Sequence, residues 1–298
     1  MFLHPHVPEP QQLDGFLYKA ILNWLAPFSD HIPVIYSAFT FLLLFIQAIS
    51  INNMINVLRL MQKPNYLTGM SYLLITSLFG DWYYLSSPLI INTLLIWVLY
   101  KLCNLHNHPS PKTSLFNIGI ITGVATFIYF PSIGFSLMII VGLIITRPFR
   151  LPEWLIVFLG VLTPYYFLGA WLYLTEKWKG YRFPGFTVRV PVFQHTLWAY
   201  IAIGLILLTL LIGLYFIQDN MRRQVVQVRK SWNLVFLYLF VALLVPFFNA
   251  SANFDYWILT AVPLAAIAGA AFLYPERKGI TLFLHWSMVA VYVIVLYF

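Results

Sequence analysis

Four cations with no acid between them stand in the stretch TEKWKGYRFPGFTVRVP, residues 175–191. They are Lys177, Lys179, Arg182 and Arg189, and aromatic residues are interleaved with them. Such a concentration of positive charge predicts an anion-binding surface. The alternative is a solvated loop whose aromatic residues rest at a membrane interface while its cations touch lipid phosphates.

Two carboxylates lie in very short turns between apolar segments. Asp81 stands in SLFGDWYYLSSP and Asp255 in NASANFDYW. An ionisable group close to hydrocarbon needs a partner to offset its desolvation, so both residues are functional candidates. Capping of the following helix is the structural alternative for Asp255.

The composition shows what kind of elements must position these groups. Of the 298 residues, 61% are hydrophobic and 9% are charged, against about 25% charged in soluble proteins. Apolar runs such as residues 196–217 are long enough to cross about 30 Å as a helix, whereas membrane barrels show alternating runs of about ten residues. The predicted fold is therefore an all-α, polytopic transmembrane helical bundle.

The apolar windows predict about ten spans. They are residues 32–50, 66–79, 87–105, 114–131, 133–147, 152–176, 195–217, 233–250, 256–274 and 280–298. We accordingly predict an external N-terminal segment, residues 1–31, and a transmembrane domain, residues 32–298, with a basic external loop at 177–194. The windows 66–79 and 133–147 are short for a full crossing, which is typical of helices that line a cavity.

The distribution of cations predicts the orientation. With an even number of spans, one assignment of the loops places 12 of the 17 Lys and Arg residues in the cytoplasm, and four of the remaining five belong to the basic loop. The positive-inside rule then predicts that both termini are periplasmic. The net charge of +8 follows from this topology, so we expect no nucleic-acid partner.

The segment before the first span has helical periodicity. Its apolar stripe consists of Leu13, Phe16, Leu17, Ala20, Ile21, Trp24 and Leu25. This pattern predicts an amphipathic helix in the outer interface, with Trp24 and Tyr18 at the headgroup level. The first ten residues do not form a signal peptide, so either the first span translocates this segment or a further helix precedes Met1 in the native protein.

Motifs for common enzyme classes are missing from the sequence. It contains no phosphate-binding loop, dinucleotide fingerprint, zincin motif or serine-hydrolase elbow. His106 and His108 share a polar loop without a nearby acid or cysteine, and Cys103 is the one cysteine. We interpret the histidines as solvated and predict no metal and no cofactor.

Three blocks of the sequence carry a family resemblance: NNMINVLRLMQKPNYLTGMSYLLITSLFGDW, PLIINTLLIW and RPFRLPEWLIVFLGVLTPYYFLGAWLYL. Together they resemble an uncharacterised family of polytopic inner-membrane proteins of Bacteroidota, over about residues 50–175. The resemblance implies a bacterial inner membrane and a further hydrophobic span before the first block. It implies no activity.

The architecture is also similar to that of membrane glycosyltransferases that use polyprenyl-phosphate-linked sugars. Those enzymes place a carboxylate in the first external loop and hold the lipid phosphate with external cations. The similarity implies Asp14 or Asp30 as the base and the four cations of the basic loop as a phosphate clamp. Unlike those enzymes, this chain has no large soluble domain.

These observations define three functional hypotheses. The first is a transferase at the outer face of the inner membrane that acts on a lipid-phosphate-linked substrate, with Asp14, Asp30, Asp81 and Asp255 as candidate catalytic carboxylates. The second is a non-enzymatic membrane subunit or assembly factor whose basic loop docks a protein partner or anionic lipid. The third is a transporter, which the short and proline-containing spans favour.

Overall fold

The chain folds into helices throughout the part that the structure describes. A computed structural model describes residues 7–11, 13–29, 34–106, 111–178, 196–248, 254–276 and 278–297. Within these ranges there is no β-strand, and Asp14 and Tyr129 form an isolated antiparallel bridge. The prediction of an all-α fold is confirmed.

The helices follow one another with short connections. In the described residues they are α1 (Phe16–Ser29), α2 (Val34–Val57), α3 (Leu67–Ser77), α4 (Ser87–Cys103), α5 (Lys112–Ile128), α6 (Phe135–Thr146), α7 (Leu151–Leu174), α8 (Leu197–Met221), α9 (Val226–Leu244), α10 (Ala261–Leu273) and α11 (Lys278–Tyr297). Short 3₁₀ helices occupy Gly80–Tyr83, Phe130–Gly134, Val245–Phe248 and Phe254–Thr260.

The helices α2 to α11 coincide with the ten apolar windows of the sequence. Six segments of the described chain are long and apolar enough to cross a membrane, namely Val34–Val57, Leu151–Leu174, Leu197–Met221, Val226–Phe248, Phe254–Leu273 and Lys278–Leu296. The fold is therefore that of a multi-pass membrane protein by length and composition. As predicted, α3 and α6 are short, with 11 and 12 residues.

Small residues let helices approach closely in the centre of the bundle. The alanines of α10 are buried, and a β-carbon added to Gly269 would stand 2.7 Å from the Thr68 hydroxyl of α3. A β-carbon on Gly160 of α7 would stand 2.5 Å from the carbonyl oxygen of Phe116 on α5. Close contact between backbones is a common way for membrane helices to associate, since lipid supplies no hydrophobic drive between them.

The turns of the bundle gather at two ends. The acidic end comprises residues 11–15, 78–86, 128–134 and 254–260. At this end Tyr18 donates its hydroxyl hydrogen to the Leu85 oxygen (3.0 Å), and Trp82 Nε1 donates to the Phe254 oxygen (3.1 Å). The cationic end comprises residues 58–66, 103–106, 146–150 and 221–230, where Gln62 Nε2 donates to Asn220 Oδ1 (2.7 Å). Successive helices from α3 to α10 thus run between the two ends in alternating directions.

The helix α1 lies in the segment for which an amphipathic helix was predicted, and its residues buried in protein are only partly those of the predicted stripe. Tyr18, Leu22 and Leu25 are buried, whereas Phe16 and Trp24 are exposed. Tyr18 donates its hydroxyl hydrogen to the protein backbone, so its predicted place at the headgroup level is wrong. One face of α1 thus packs on protein, and Phe16 and Trp24 of the predicted stripe stay exposed.

Candidate functional site

The N-terminal segment is attached to the end of α5 by backbone hydrogen bonds. The amide of Gly15 donates to the Ile128 oxygen (2.9 Å), and the amide of Phe130 donates to the Leu13 oxygen (3.2 Å). A β-carbon on Gly15 would overlap the carbonyl group of Phe127. Glycine therefore allows the close approach that places Asp14 against α5.

Asp14 is buried at this junction, with 6% of its surface exposed. Its Oδ2 accepts a hydrogen bond from the amide of Gln11 (2.8 Å), and its Oδ1 accepts one from the hydroxyl of Ser87. Burial raises the pKa of Asp14 above its usual 3.8, while the bonds from Ser87 and Gln11 and the charge of Lys19 oppose this shift. Asp14 is thus a desolvated carboxyl group that the fold holds in one orientation.

A second carboxyl group, that of Asp255, lies within electrostatic range of Asp14. Asp255 is half-buried and interacts electrostatically with both Asp81 and Asp14, although the three residues are far apart in the sequence. Asp81 and Asp255 lie in the 3₁₀ helices Gly80–Tyr83 and Phe254–Thr260. Asp255 is thus within electrostatic range of two of the other predicted carboxylates.

Aromatic residues fix the two 3₁₀ helices relative to each other. The indole of Trp82 stacks on the ring of Phe254 at 5.7 Å between centroids, in addition to its hydrogen bond to the Phe254 oxygen. Phe79 packs at 4.6 Å from Trp82 and at 4.7 Å from Phe254. These contacts keep Asp81 and Asp255 close in spite of the repulsion between their charges.

Tyrosine hydroxyls complete the surroundings of the carboxyl groups. Tyr256 stacks on Tyr129 at 5.3 Å and donates to the side-chain oxygen of Gln11. Burial raises the pKa of Tyr18, and the charges of Asp14 and Asp255 raise it further. Tyr18 therefore stays protonated as a hydrogen-bond donor beside the acids.

A buried polar network lies beneath the acidic end. Asn92 of α4 donates to the Ile258 oxygen (3.0 Å) and accepts from the hydroxyl of Tyr238 (3.4 Å). Gln47 of α2 donates to the Leu89 oxygen (2.7 Å) and accepts from the hydroxyl of Tyr72 (2.5 Å). The bond from Asn92 to Ile258 ties α4, which begins at Ser87, to the 3₁₀ helix that carries Asp255.

Sequence reasoning did not identify several residues of this site, namely Gln11, Tyr18, Ser87, Asn92 and Tyr256. Ser87 stands directly before Pro88 at the start of α4, a composition typical of a helix N-terminus, and Tyr256 adjoins Asp255 in the sequence. These local signals mark positions but not partners, because the partners of Ser87 and Tyr256 come from the N-terminal segment, 73 and 245 residues away.

The basic loop begins beside the acidic end. Leu172 of α7 packs in one apolar cluster with Leu17 of α1, and the amide of Lys177 donates to the Leu172 oxygen (3.0 Å). Lys177 is exposed, and its ammonium lies 5.6 Å from the centroid of the Trp171 ring. The other predicted residues, Asp30, Lys179, Arg182 and Arg189, lie outside the described residues.

The carboxyl and hydroxyl groups of the site can take part in proton transfer. No group of three or more His, Cys, Asp or Glu side chains in the described residues is arranged to hold a metal ion. A carboxylate near hydroxyl groups in a poorly solvated place can accept a proton from a substrate hydroxyl. No protein-family model, curated protein or solved structure matches this chain.

Proposed function

We propose that this protein is a multi-pass transferase of a bacterial inner membrane that acts at its acidic end on a substrate linked to a lipid phosphate. The proposal is carried by the buried, hydrogen-bonded Asp14 and the half-buried Asp255, whose charges act on each other although the two residues are remote in the sequence. Keeping carboxyl groups in a poorly solvated place costs free energy in desolvation and repulsion. Such arrangements are characteristic of sites that handle protons.

The proposed placement in the membrane follows from the two ends of the bundle. We propose that α2 to α11 each cross the bilayer, that the acidic end and both termini face the periplasm, and that α1 lies in the outer interface. The exposed indole of Trp24 suits that position, and the cationic end then obeys the positive-inside rule. We also propose that the chain belongs to the family of Bacteroidota membrane proteins that its sequence resembles.

In the proposed reaction Asp255 is the base. Asp255 is half-buried and so partly exposed, whereas Asp14 is buried and its two oxygens already accept hydrogen bonds. The acceptor hydroxyl gives its proton to Asp255 while its oxygen forms a bond to the anomeric carbon of the sugar. The bond from that carbon to the phosphate oxygen breaks, and the electron pair leaves with the lipid phosphate.

The basic loop has the complementary task of binding the lipid phosphate. Lys177 starts this loop next to α1, and Lys179, Arg182 and Arg189 follow within the next dozen residues of the sequence. Positive groups stabilise the charge that develops on the leaving phosphate, most strongly where water is scarce.

Binding and transfer are measured with the full chain in phospholipid nanodiscs. We expect wild type to bind a polyprenyl phosphate, and replacement of the four loop cations by Gln to weaken binding by at least about tenfold, because each charge-assisted contact contributes about 1.5–3 kcal/mol. Asp255→Asn should keep binding but lower transfer from a polyprenyl-phosphate-linked hexose by about 10²–10⁴-fold. Lys63→Gln and Asp219→Asn, at the cationic end, are the controls.

Absence of polyprenyl phosphate binding by wild type would reject the transferase. A stoichiometric protein partner that is lost when the loop is neutralised would instead favour the docking role.

The orientation is tested by placing single cysteines at residues 179–189, since the native Cys103 is buried. Labelling by an impermeant maleimide in intact spheroplasts is expected, and labelling only after lysis would overturn the periplasmic placement.

A further inference from the structure

A second charged cluster lies at the cationic end, away from the carboxylates. Lys230 of α9 places its Nζ 3.3 Å from the Thr146 oxygen at the end of α6 and 3.3 Å from Nδ1 of His106. The same Nδ1 lies 3.3 Å from the Thr146 oxygen. His106 is half-buried in this contact, so its predicted role as a solvated loop residue is wrong.

The cluster carries more positive than negative charge. Arg147 pairs with Glu153 at 3.0 Å and donates to the Leu105 oxygen at 2.9 Å, and Arg150 approaches Glu153 at 4.0 Å. Glu153 is thus the one carboxylate that serves both arginines. Among the described residues, no acid forms an ion pair with Lys230. Outside the described residues the chain has one acid, Asp30, which precedes α2.

The helix that carries Lys230 adds to the excess of positive charge. The helix α9 starts at Val226 after Val225, which provides no side-chain cap, and it has no acid in its first turn. A helix N-terminus bears a partial positive charge, so cations there are unfavourable without an anion nearby. Two exposed apolar side chains, Phe149 and Leu151, flank Arg150.

We propose that this cluster binds a phosphate group, and that the group belongs to the head of an anionic phospholipid. Lys230 and Arg150 contact the phosphate oxygens, while Arg147 is held in place by Glu153 and the Leu105 oxygen. The exposed Phe149 and Leu151 contact the acyl chains. This site is independent of the proposed transferase, because it lies at the opposite end of the bundle and uses none of its residues.

The test compares lipid retention by full-length variants. Protein purified from vesicles of equal parts phosphatidylglycerol and phosphatidylcholine is analysed by native mass spectrometry. We expect wild type to retain phosphatidylglycerol and Lys230→Met to retain about tenfold less, the loss expected for one charge-assisted hydrogen bond. Lys230→Arg keeps the charge and should retain the lipid. Lys63→Met removes an exposed cation at the same end and should behave as wild type.

A second arm separates the lipid from free phosphate. Inorganic phosphate that raises the thermal midpoint of wild type but not of Lys230→Met, without retained lipid, supports the phosphate site and assigns it to a soluble ligand. Equal retention of both lipids by wild type, or equal losses in Lys63→Met and Lys230→Met, overturns the proposal.

Acetylation footprinting of wild type covers the case of a misfolded variant. Phosphatidylglycerol should protect Lys230 and not Lys63, and equal modification of both overturns the proposal.

Discussion

Replacement of Gly15 by alanine tests how Asp14 is held in the site. A methyl group at residue 15 would overlap the backbone carbonyl of Phe127, and no flexible side chain can move aside to relieve the overlap. The N-terminal segment must therefore shift away from the end of α5. Asp14 directly precedes Gly15 and shifts with this segment.

The size of the effect follows from the hydrogen bonds that attach the segment. They are the bonds from Gly15 to Ile128 (2.9 Å) and from Phe130 to Leu13 (3.2 Å). Each such bond contributes about 0.5–1.5 kcal/mol net, so losing both costs about 1–3 kcal/mol. The segment should then open about 5–150-fold more often, by the relation between opening free energy and population.

Hydrogen–deuterium exchange of the full chain in detergent measures this opening directly. We expect faster exchange in peptides that contain Gly15 and Phe130 and no change in peptides from α8. Gly80→Ala is the matched control, because Gly80 lies at the same end and no atom stands within 4 Å of an added β-carbon. Unchanged exchange in Gly15→Ala, or an equal change in Gly80→Ala, would refute the steric argument.

Two further predictions concern pH and helix packing. Burial raises the pKa of Asp14 above 3.8, so over the pH range between 3.8 and the raised pKa the folded protein keeps a proton that the unfolded chain loses. The free energy of unfolding therefore falls as the pH rises through this range. Differential scanning fluorimetry should show a smaller fall in thermal midpoint for Asp14→Asn, and parallel curves would contradict this assignment. Gly160→Ala should destabilise the α5–α7 contact by about 1–3 kcal/mol through overpacking. The control Gly169→Ala, whose added β-carbon makes an ordinary 3.5 Å contact, should not. Equal thermal midpoints of the two variants would refute the packing argument.

The positions of the helices were predictable because their cause is local. In a medium without water each backbone polar group must be satisfied within its own segment, so a long apolar run is a helix whatever surrounds it. The windows from residue 32 onward accordingly coincide with α2 to α11. The face of α1 that meets protein was not predictable, because it depends on which other segments pack against that helix.

The hydrogen bonds that surround Asp14 and the turn of Asp255 could not be predicted from local pattern. Ser87 reaches Asp14 across 73 residues of sequence, and Tyr256 reaches Gln11 across 245. Asn92 is a single polar residue in an apolar run, and its role depends on the Ile258 oxygen 166 residues away. Contacts of this kind depend on how helices pack, and a single sequence carries no signal for that.

The sequence alone determined that this chain is a bundle of apolar helices with a basic loop and a few isolated acids, because hydrophobicity and charge act on each segment separately. The tertiary structure decided which acids meet. Asp255 comes within electrostatic range of Asp14 and Asp81 because a glycine lets the N-terminal segment approach α5 and an aromatic stack joins two distant turns. Their convergence depends on close packing between segments that are remote in the chain.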